Sequence, residues 1–405
     1  MTGSPFLRRV VIKNYRSIAG CDVGLRPLSL LVGRNGSGKS NFLDALRFVA
    51  DALNTSLSHA LRDRGGVNEV RRRSGGHPTH FGIRLDFTLP GGSAGTYAFR
   101  VAARARGAYE VQEERCDISD PAGLGFHRFH VGPDGVTTTL EQTVPPALPD
   151  RLYLVNAGGL PQFRPVYDAL SAMGFYNLNP DRIRDLQSPD PGTLLARDGS
   201  NLSSVLDQLR NHRPGAKQRV EGYLNKVTSN ITGVDVKVVG PKETLEFRQH
   251  VAGSKDPWRF PAAAMSDGTL RTLGILVALF QTHGGASEVP LVGIEEPEAA
   301  LHPGAAGVLL DALREASVRT QVVVTSHSPD LLDDPTIDAD SILAVALHDG
   351  ATVIGGIDET GRSAMRDHLF TAGELLRLDQ LAPNDEAKAH ANGSQLELFE
   401  ASPRR

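Results

Sequence analysis

Two cysteines in 405 residues, Cys21 and Cys116, are too few for a disulfide scaffold and form no zinc-type pair. Their scarcity fits a reducing compartment. No apolar run is long enough to span a bilayer; the longest, Leu273 to Phe280, falls far short of a membrane helix. Arg8 and Arg9 are followed only by a brief strand-like stretch, so no leader is expected, and the chain reads as soluble and cytoplasmic, with no membrane partner. A large excess of one charge is missing as well. The 43 Lys and Arg against 47 Asp and Glu leave −4. A protein that wraps nucleic acid with its whole surface is excluded on that count, while a local basic patch is not. No internal repeat or heptad run occurs, so a coiled-coil arm is excluded.

What is present is an ordinary globular composition, 40% hydrophobic and 22% charged. The length predicts two or three domain-sized units, or one large α/β core with an insertion. Residues 7–13 and 28–33 read as strands, and Asn41 to Leu53 carries Phe42, Leu43, Leu46, Val49 and Leu53 at helical spacing. From Phe81 to about Leu140 short alternating segments separated by Gly, Pro and Asp predict an antiparallel β-subdomain. Residues 165–226 read as mostly helical. Strands are expected at 234–239, 243–251, 290–295, 320–325 and 341–347, with helices at 267–283 and 304–316. The resulting division is an N-terminal lobe 1–160, an inserted helical region 161–232, a C-terminal lobe 233–378 and a flexible polar tail 379–405. Within that tail Leu396, Leu398 and Phe399 form a small apolar cluster, read either as a docking element or as a frayed helix.

Gly33-Arg34-Asn35-Gly36-Ser37-Gly38-Lys39-Ser40 fits GxxxxGK[ST], with a strand before it and a helix, opened by Asn41, after it. Glycines let backbone N–H groups curl around phosphate oxygens, and the helix start adds positive potential. Lys39 is expected on the β- and γ-phosphates and Ser40 on Mg²⁺.

Leu291-Val292-Gly293-Ile294-Glu295-Glu296 is an apolar strand ending in two carboxylates. In an α/β sheet ligands gather at the carboxyl ends of strands. Glu295 is assigned to the metal and Glu296 to the attacking water; the plain alternative is a strand running into a solvated turn. Met265-Ser266-Asp267-Gly268-Thr269 opens a helix that is apolar almost all round. Ser266 is a natural N-cap and Gly268 permits close approach, so this start reads as a phosphate contact or simply as a capped core helix. Val322 to Ser326 is a buried strand followed by His327, which either meets a γ-phosphate or its water or is polar punctuation.

In order, GRNGSGKS, SDGT, GIEEPEAALHP and VVVTSHSPDLL, together with the N-terminal VIKNYRSI, resemble the ABC-type AAA ATPases of the RecF, SMC and OLD-like group. The resemblance implies an α/β ABC-ATPase head of the P-loop NTPase class, with an antiparallel β-subdomain and an inserted helical subdomain. It implies ATP and Mg²⁺ as ligands, and hydrolysis to ADP and phosphate. Gly33 to Ser40 stands as Walker A, Glu295 and Glu296 as the Walker B pair, and His327 as the switch histidine. Ser266, Asp267, Gly268 and Thr269 stand as the signature that reaches ATP bound to an opposite subunit. Arg16 stands where relatives place an arginine near nucleotide. Gln162, with Gln187 as rival, stands for the glutamine that reaches the metal. Glu295 departs from the usual aspartate, and the transporter-type LSGGQ is missing, which argues against a transporter subunit. With about 70 residues after His327, a C-terminal Toprim nuclease domain does not fit, so any nuclease or effector is expected on another chain.

The function expected is an ATP-gated homodimer acting in DNA repair or genome maintenance. One alternative is the ATPase sensor of an anti-phage defence or toxin-type system with a separate effector; another is a nucleotide-holding scaffold with little turnover. Arg62, Arg64, Arg71, Arg72 and Arg73 make a local basic excess, read as a DNA-backbone contact or as a solvated loop. No aromatic residue interleaves with them, which leaves a single-strand stacking platform unsupported.

Overall fold

The computed structural model describes residues 5–74, 78–121, 125–141, 143–228, 230–283, 287–299, 301–391 and 396–399. Its contacts divide the chain into two compact units. The first joins Met1–Met173, Asp338–Phe370 and Leu375–Arg405; the second joins Gly174–Ile337 and Thr371–Glu374. The expected lobes 1–160, 161–232 and 233–378 are divided differently, because strands after residue 338 hydrogen-bond to strands from the first thirty-two residues.

The first unit contains β1 (Leu7–Tyr15), β2 (Ile18–Gly24), β3 (Leu28–Val32), β4 (His80–Thr88), β5 (Ala94–Ala103), β6 (Tyr109–Ser119), β7 (Phe126–Gly132) and β8 (Gly135–Thr138). Later strands β17 (Ile342–His348) and β18 (Ala351–Gly356) return to it. Side by side the order is β8-β7-β6-β5-β4-β1-β2-β18-β17-β3. β4 to β8 form an antiparallel meander. β3 lies parallel to β17, and β18 meets β2 in parallel at Thr352 and Ile18. This is the β-subdomain read from the alternating pattern, extended by β2 and β18, which that pattern did not flag.

The helix Lys39–Asn54 packs on this sheet through its apolar face. Phe48 sets its ring 6.0 Å from Tyr15 and 5.5 Å from Phe81, both edge-on. Fully burying such a ring stabilises by about 1.5–3 kcal/mol, and three mutually packed aromatics fix the helix start relative to β1 and β4.

One carboxyl in this unit is wholly buried. Glu114 on β6 accepts from the backbone N–H of Leu154 at 2.8 Å, from the Tyr97 hydroxyl at 2.9 Å and from the Tyr153 N–H. Burial pushes its pKa up to about 7, against the pull of these three donors.

The expected flexible tail is a correction. Asp385–Ala391 is helical, and Ala387 and Ala391 pack on Val353 of β18. Residues 396–399 lie in place against the sheet. Residues 392–395 and 400–405 of that tail lie outside the described residues.

The second unit contains β9 (Gly174–Tyr176), β10 (Ile231–Val239), β11 (Lys242–Gln249), β12 (Trp258–Pro261), the short β13 (Thr282–His283) and β14 (Ser287–Glu288), β15 (Leu291–Glu295) and β16 (Gln321–Ser326). β15 is parallel to both β9 and β16. β10, β11 and β12 make a separate antiparallel sheet. The helix Asp267–Phe280 is buried almost all round, as its composition predicts. Helices Leu202–His212 and Pro214–Val227 pack against it, which places most of the expected insertion within this unit.

Candidate functional site

In the first unit, β3 ends at Val32 and the chain turns through Gly33 to Gly38 into the helix Lys39–Asn54. Gly36 and Gly38 have φ of 79° and 101°, in the region that favours glycine. A Cβ on Gly38 would stand 2.0 Å from Thr352 Oγ1, and one on Gly33 would stand 2.0 Å from the Val345 carbonyl oxygen. The loop is therefore seated directly on β17 and β18. Thr352 Oγ1 donates to the Ser37 carbonyl at 2.9 Å and lies 2.6 Å from Ser17 Oγ. Asn41 Nδ2 donates to Ser17 Oγ at 2.6 Å, and Arg72 donates to the Ser17 carbonyl at 2.8 Å. Lys39 Nζ donates to the Gly33 and Arg34 carbonyls at 2.7 and 2.9 Å, so the ammonium lies inside its own loop. Ser40 is exposed on the first helical turn, and Arg34 and Asn35 are exposed on the loop.

Two buried oxygens in this unit have no hydrogen-bond partner, Ser37 Oγ and Gln162 Oε1. Unpaired buried acceptors are costly, so they point to groups that complete them. A glycine cradle, an enclosed ammonium and the orphan Ser37 oxygen suit a phosphate with a hard, oxygen-liganded cation such as magnesium.

Arg16 has its backbone in the left-handed region, φ 47°. Its Nε stands 2.9 Å from Asp44 on the helix after the loop. Asp44 also takes Arg47, Arg64 and the Tyr15 hydroxyl at 2.7, 3.0 and 2.8 Å. Burial alone would raise the Asp44 carboxyl; Arg64, Arg16 and Arg47 overcome it and hold the pKa below the usual range. This cluster changes the reading of the arginine stretch. Arg64 is buried in ion pairs with Asp44 and Asp51, Arg71 and Arg72 donate to backbone carbonyls, and Arg73 pairs with Glu69. Much of that positive charge is used internally.

In the second unit, β15 delivers Glu295 and Glu296 at its carboxyl end. Glu295 Oε1 lies 2.8 Å from the Arg197 guanidinium. Glu296 adopts φ 45°, and its N–H donates to the Thr325 carbonyl at 3.0 Å. That turn aims its carboxylate at His327, whose Nδ1 is 3.2 Å from Glu296 Oε1. The pair is at ion-pair distance but outside hydrogen-bond geometry, leaving this buried nitrogen without a hydrogen-bond partner. Glu298 Oε1 accepts from Ser326 Oγ at 2.6 Å and from the His327 N–H at 3.3 Å, fixing the end of β16. Arg271 donates to the Glu295 and Glu296 carbonyls at 3.2 and 3.1 Å. Burial lowers its pKa, against the pull of Glu296, Glu298 and Glu295.

Ser266 caps the helix Asp267–Phe280, accepting from the Thr269 N–H at 3.2 Å. Ser266 and Asp267 are exposed, Gly268 is half-buried, and Asp267 pairs with Arg184 at 2.5 Å. Gln187 is occupied within the fold. It bonds the Arg182 and Gly199 carbonyls and the Ser203 N–H, which removes it as rival to Gln162. Thr352, Arg197 and Arg271 were not singled out from the sequence and lie in none of its motifs; Ser17 lies within VIKNYRSI but was given no role there.

Two family models match the sequence: "AAA domain, putative AbiEii toxin, Type IV TA system" over residues 161–333, and "AAA ATPase domain" over residues 6–80. Both are models of AAA-type ATPase domains, and the α/β fold is the P-loop NTPase type of SMC-head ABC-ATPase domains. Among solved structures the chain is similar to an Smc head bound to the C-terminal winged-helix domain of ScpA. The identity is 15%, coverage is 89% of this chain and 100% of that one, and the TM-score is 0.53. It is also similar to a Pyrococcus furiosus Smc head domain with an extended coiled coil, bound to the C-terminal domain of ScpA. There the identity is 13%, coverage is 90% and 99%, and the TM-score is 0.52. At these identities the likeness is one of fold. No curated protein matches the chain in sequence. Among the described residues no helix is long and apolar enough to cross a membrane.

Proposed function

We propose that the chain binds and hydrolyses ATP and works as an ATP-gated homodimer in a DNA-related process. The observation that carries this reading is the glycine loop seated on Thr352, with Lys39 enclosed and the Ser37 hydroxyl left unpaired. Lys39 moves from its own carbonyls to the phosphates, exchanging neutral acceptors for charged ones. Ser40, Gln162 and Glu295 are the residues assigned to magnesium, which when bound neutralises charge on the phosphate oxygens. Glu296 orients the attacking water and takes its proton, and His327 holds the same water or the γ-phosphate from Nδ1. Ser266, Asp267, Gly268 and Thr269 form an exposed helix start able to receive a phosphate from a second copy. Arg16, freed from Asp44, supplies a further phosphate contact.

A second reading is supported by the toxin-type description of the family matched over residues 161–333. In it the same ATPase is the sensor of a defence or toxin-type pair, and a separate effector carries the output. The Arg197–Glu295 ion pair favours slow turnover in either case, because a guanidinium stands where the metal needs a free carboxylate.

Mass in solution and phosphate release, measured together with ATP and Mg²⁺, test the proposal on wild type, Lys39→Ala and Glu296→Gln. The expected outcome is an ATP-dependent dimer trapped by Glu296→Gln and absent in Lys39→Ala. Wild type that neither releases phosphate nor changes mass overturns the switch. DNA-stimulated turnover that falls steeply with salt supports the DNA role; turnover indifferent to DNA, with a co-purifying effector, supports the second reading.

A further inference from the structure

Across the first unit's sheet one row of residues is set apart by missing side chains. Lys13 on β1 pairs with Gly20 on β2 and with Gly82 on β4. Gly82 pairs with Arg100 on β5, and Arg100 with Glu113 on β6. Laterally paired residues face the same side of a sheet, so this row crosses five strands and carries two glycine notches.

Residues 396–399 lie along the row. A Cβ on Gly20 would stand 2.8 Å from Leu396 Cδ1 and 2.4 Å from the His390 carbonyl; one on Gly82 would stand 2.3 Å from Leu398 Cδ1. Each notch thus holds one leucine. Leu396 and Leu398 are 8% and 1% exposed and cluster with Val11, two residues from Lys13 on the same face of β1. Glu397 between them points to solvent. Phe399 lies under the Arg100 guanidinium, 5.1 Å from ring centroid to Cζ, and Arg115 donates to the Phe399 carbonyl at 2.7 Å.

The segment makes no strand pairing among the described residues, and the ladders beneath it are complete without it. Burying two leucines stabilises it, and the entropy lost in ordering its backbone offsets much of that gain. The contact is therefore specific in register yet close to balance, which is the energetics of a bound peptide and not of a core strand.

We propose that the notched row is a binding site for short Leu-X-Leu-Phe segments. In the resting chain it holds the chain's own residues 396–399. A partner protein carrying a segment of this chemistry exchanges with the tail. Around the segment Arg100 lies 3.5 Å from Glu113 and Arg115 pairs with Asp117, so the leucine notches and not the charges set the specificity. The nucleotide reading is not needed for this site.

The test uses the full chain with Leu398→Ser and Phe399→Ser, which detach the tail. It is titrated with a fluorescent peptide of sequence Gln-Leu-Glu-Leu-Phe-Glu by anisotropy. Saturable binding is expected. Wild type binds at least about tenfold more weakly, because its tethered tail competes at high effective concentration. Adding Gly82→Leu to the detached chain fills the second notch and abolishes binding, as does replacing both peptide leucines by serine. A detached chain that melts cooperatively but binds no peptide overturns the proposal. So does retained binding after Gly82→Leu. Failure of the detached chain to fold, read by circular dichroism, also overturns it, since the segment would then be part of the core.

Discussion

Around the phosphate loop the supporting groups are mostly neutral and close-range. The Asn41 amide donates to the Ser17 hydroxyl, which meets the Thr352 hydroxyl, which donates to the Ser37 carbonyl, and Lys39 folds back on loop carbonyls. At the end of β15 the partners are ionisable side chains that are partly exposed. Arg197 holds Glu295, and Glu296 stands beside His327. On the proposed function, the first region needs only the Lys39 ammonium to shift before it receives phosphate, and the second must trade a guanidinium for a metal. Affinity should therefore sit mainly with the loop, and the rate of turnover with the carboxylates.

The sharpest way to break that contrast is Glu296→Gln. Phosphate release should fall by about 10²–10⁴, the usual worth of a positioned acid–base group, with ATP affinity kept. A matching loss of affinity would mean that the acidic end also builds the binding site. A carboxylate treated in the opposite manner, buried with no cation in contact, gives the next effect. Glu114 is raised to about 7 in the fold. Its stabilising contribution is full below the ordinary carboxylate range and is lost as pH rises through 7. Unfolding free energies from urea titrations at pH 5 to 8 should drop by up to about 3 kcal/mol for this group, and Glu114→Gln should flatten that slope.

Lys39→Ala comes third, weakening ATP binding by about 1.5–3 kcal/mol, the range of a charge-assisted hydrogen bond. It leaves the melting temperature near wild type if the ammonium serves phosphate more than the fold. Thr352→Val removes the hydroxyl beneath Gly38 while keeping the shape. It should cost about 1–3 kcal/mol of stability by leaving the Ser37 carbonyl unpaired, and should weaken ATP binding with it. The smallest effect is Arg197→Gln. Freed of its partner, Glu295 should reach half-maximal phosphate release at a several-fold lower Mg²⁺ concentration. An unchanged Mg²⁺ requirement would remove Arg197 from the argument.

The glycine loop was legible because its chemistry is local: strand, turn residues and helix follow one another in eleven or twelve positions. Its seat was not. Thr352 lies in Ala351–Gly356, a stretch with no motif, and meets the loop only through sheet order. Arg197 escaped notice for the same reason. The two readings of the arginines at 62–73 could not be told apart in the sequence, which gives charges without their partners; in the structure Arg64 is enclosed by Asp44 and Asp51. The tail was read as flexible from its polar average. Four well-placed apolar residues, Ala387, Ala391, Leu396 and Leu398, outweigh that average once a surface is there to receive them.

The seat of Gly38 on Thr352 also sets an order of assembly in the cell. The loop and its supporting hydroxyl are 314 positions apart (352 − 38). At roughly 5–20 residues per second of synthesis, the ribosome needs some tens of seconds to deliver the second after the first. Until then β1, β2 and β3 stand without β17 and β18, a glycine-rich turn and an open sheet edge exposed on a nascent chain. Early strands left waiting are open to wrong pairing and to capture by holding chaperones. The loop therefore gains its seat only after most of the chain has been made.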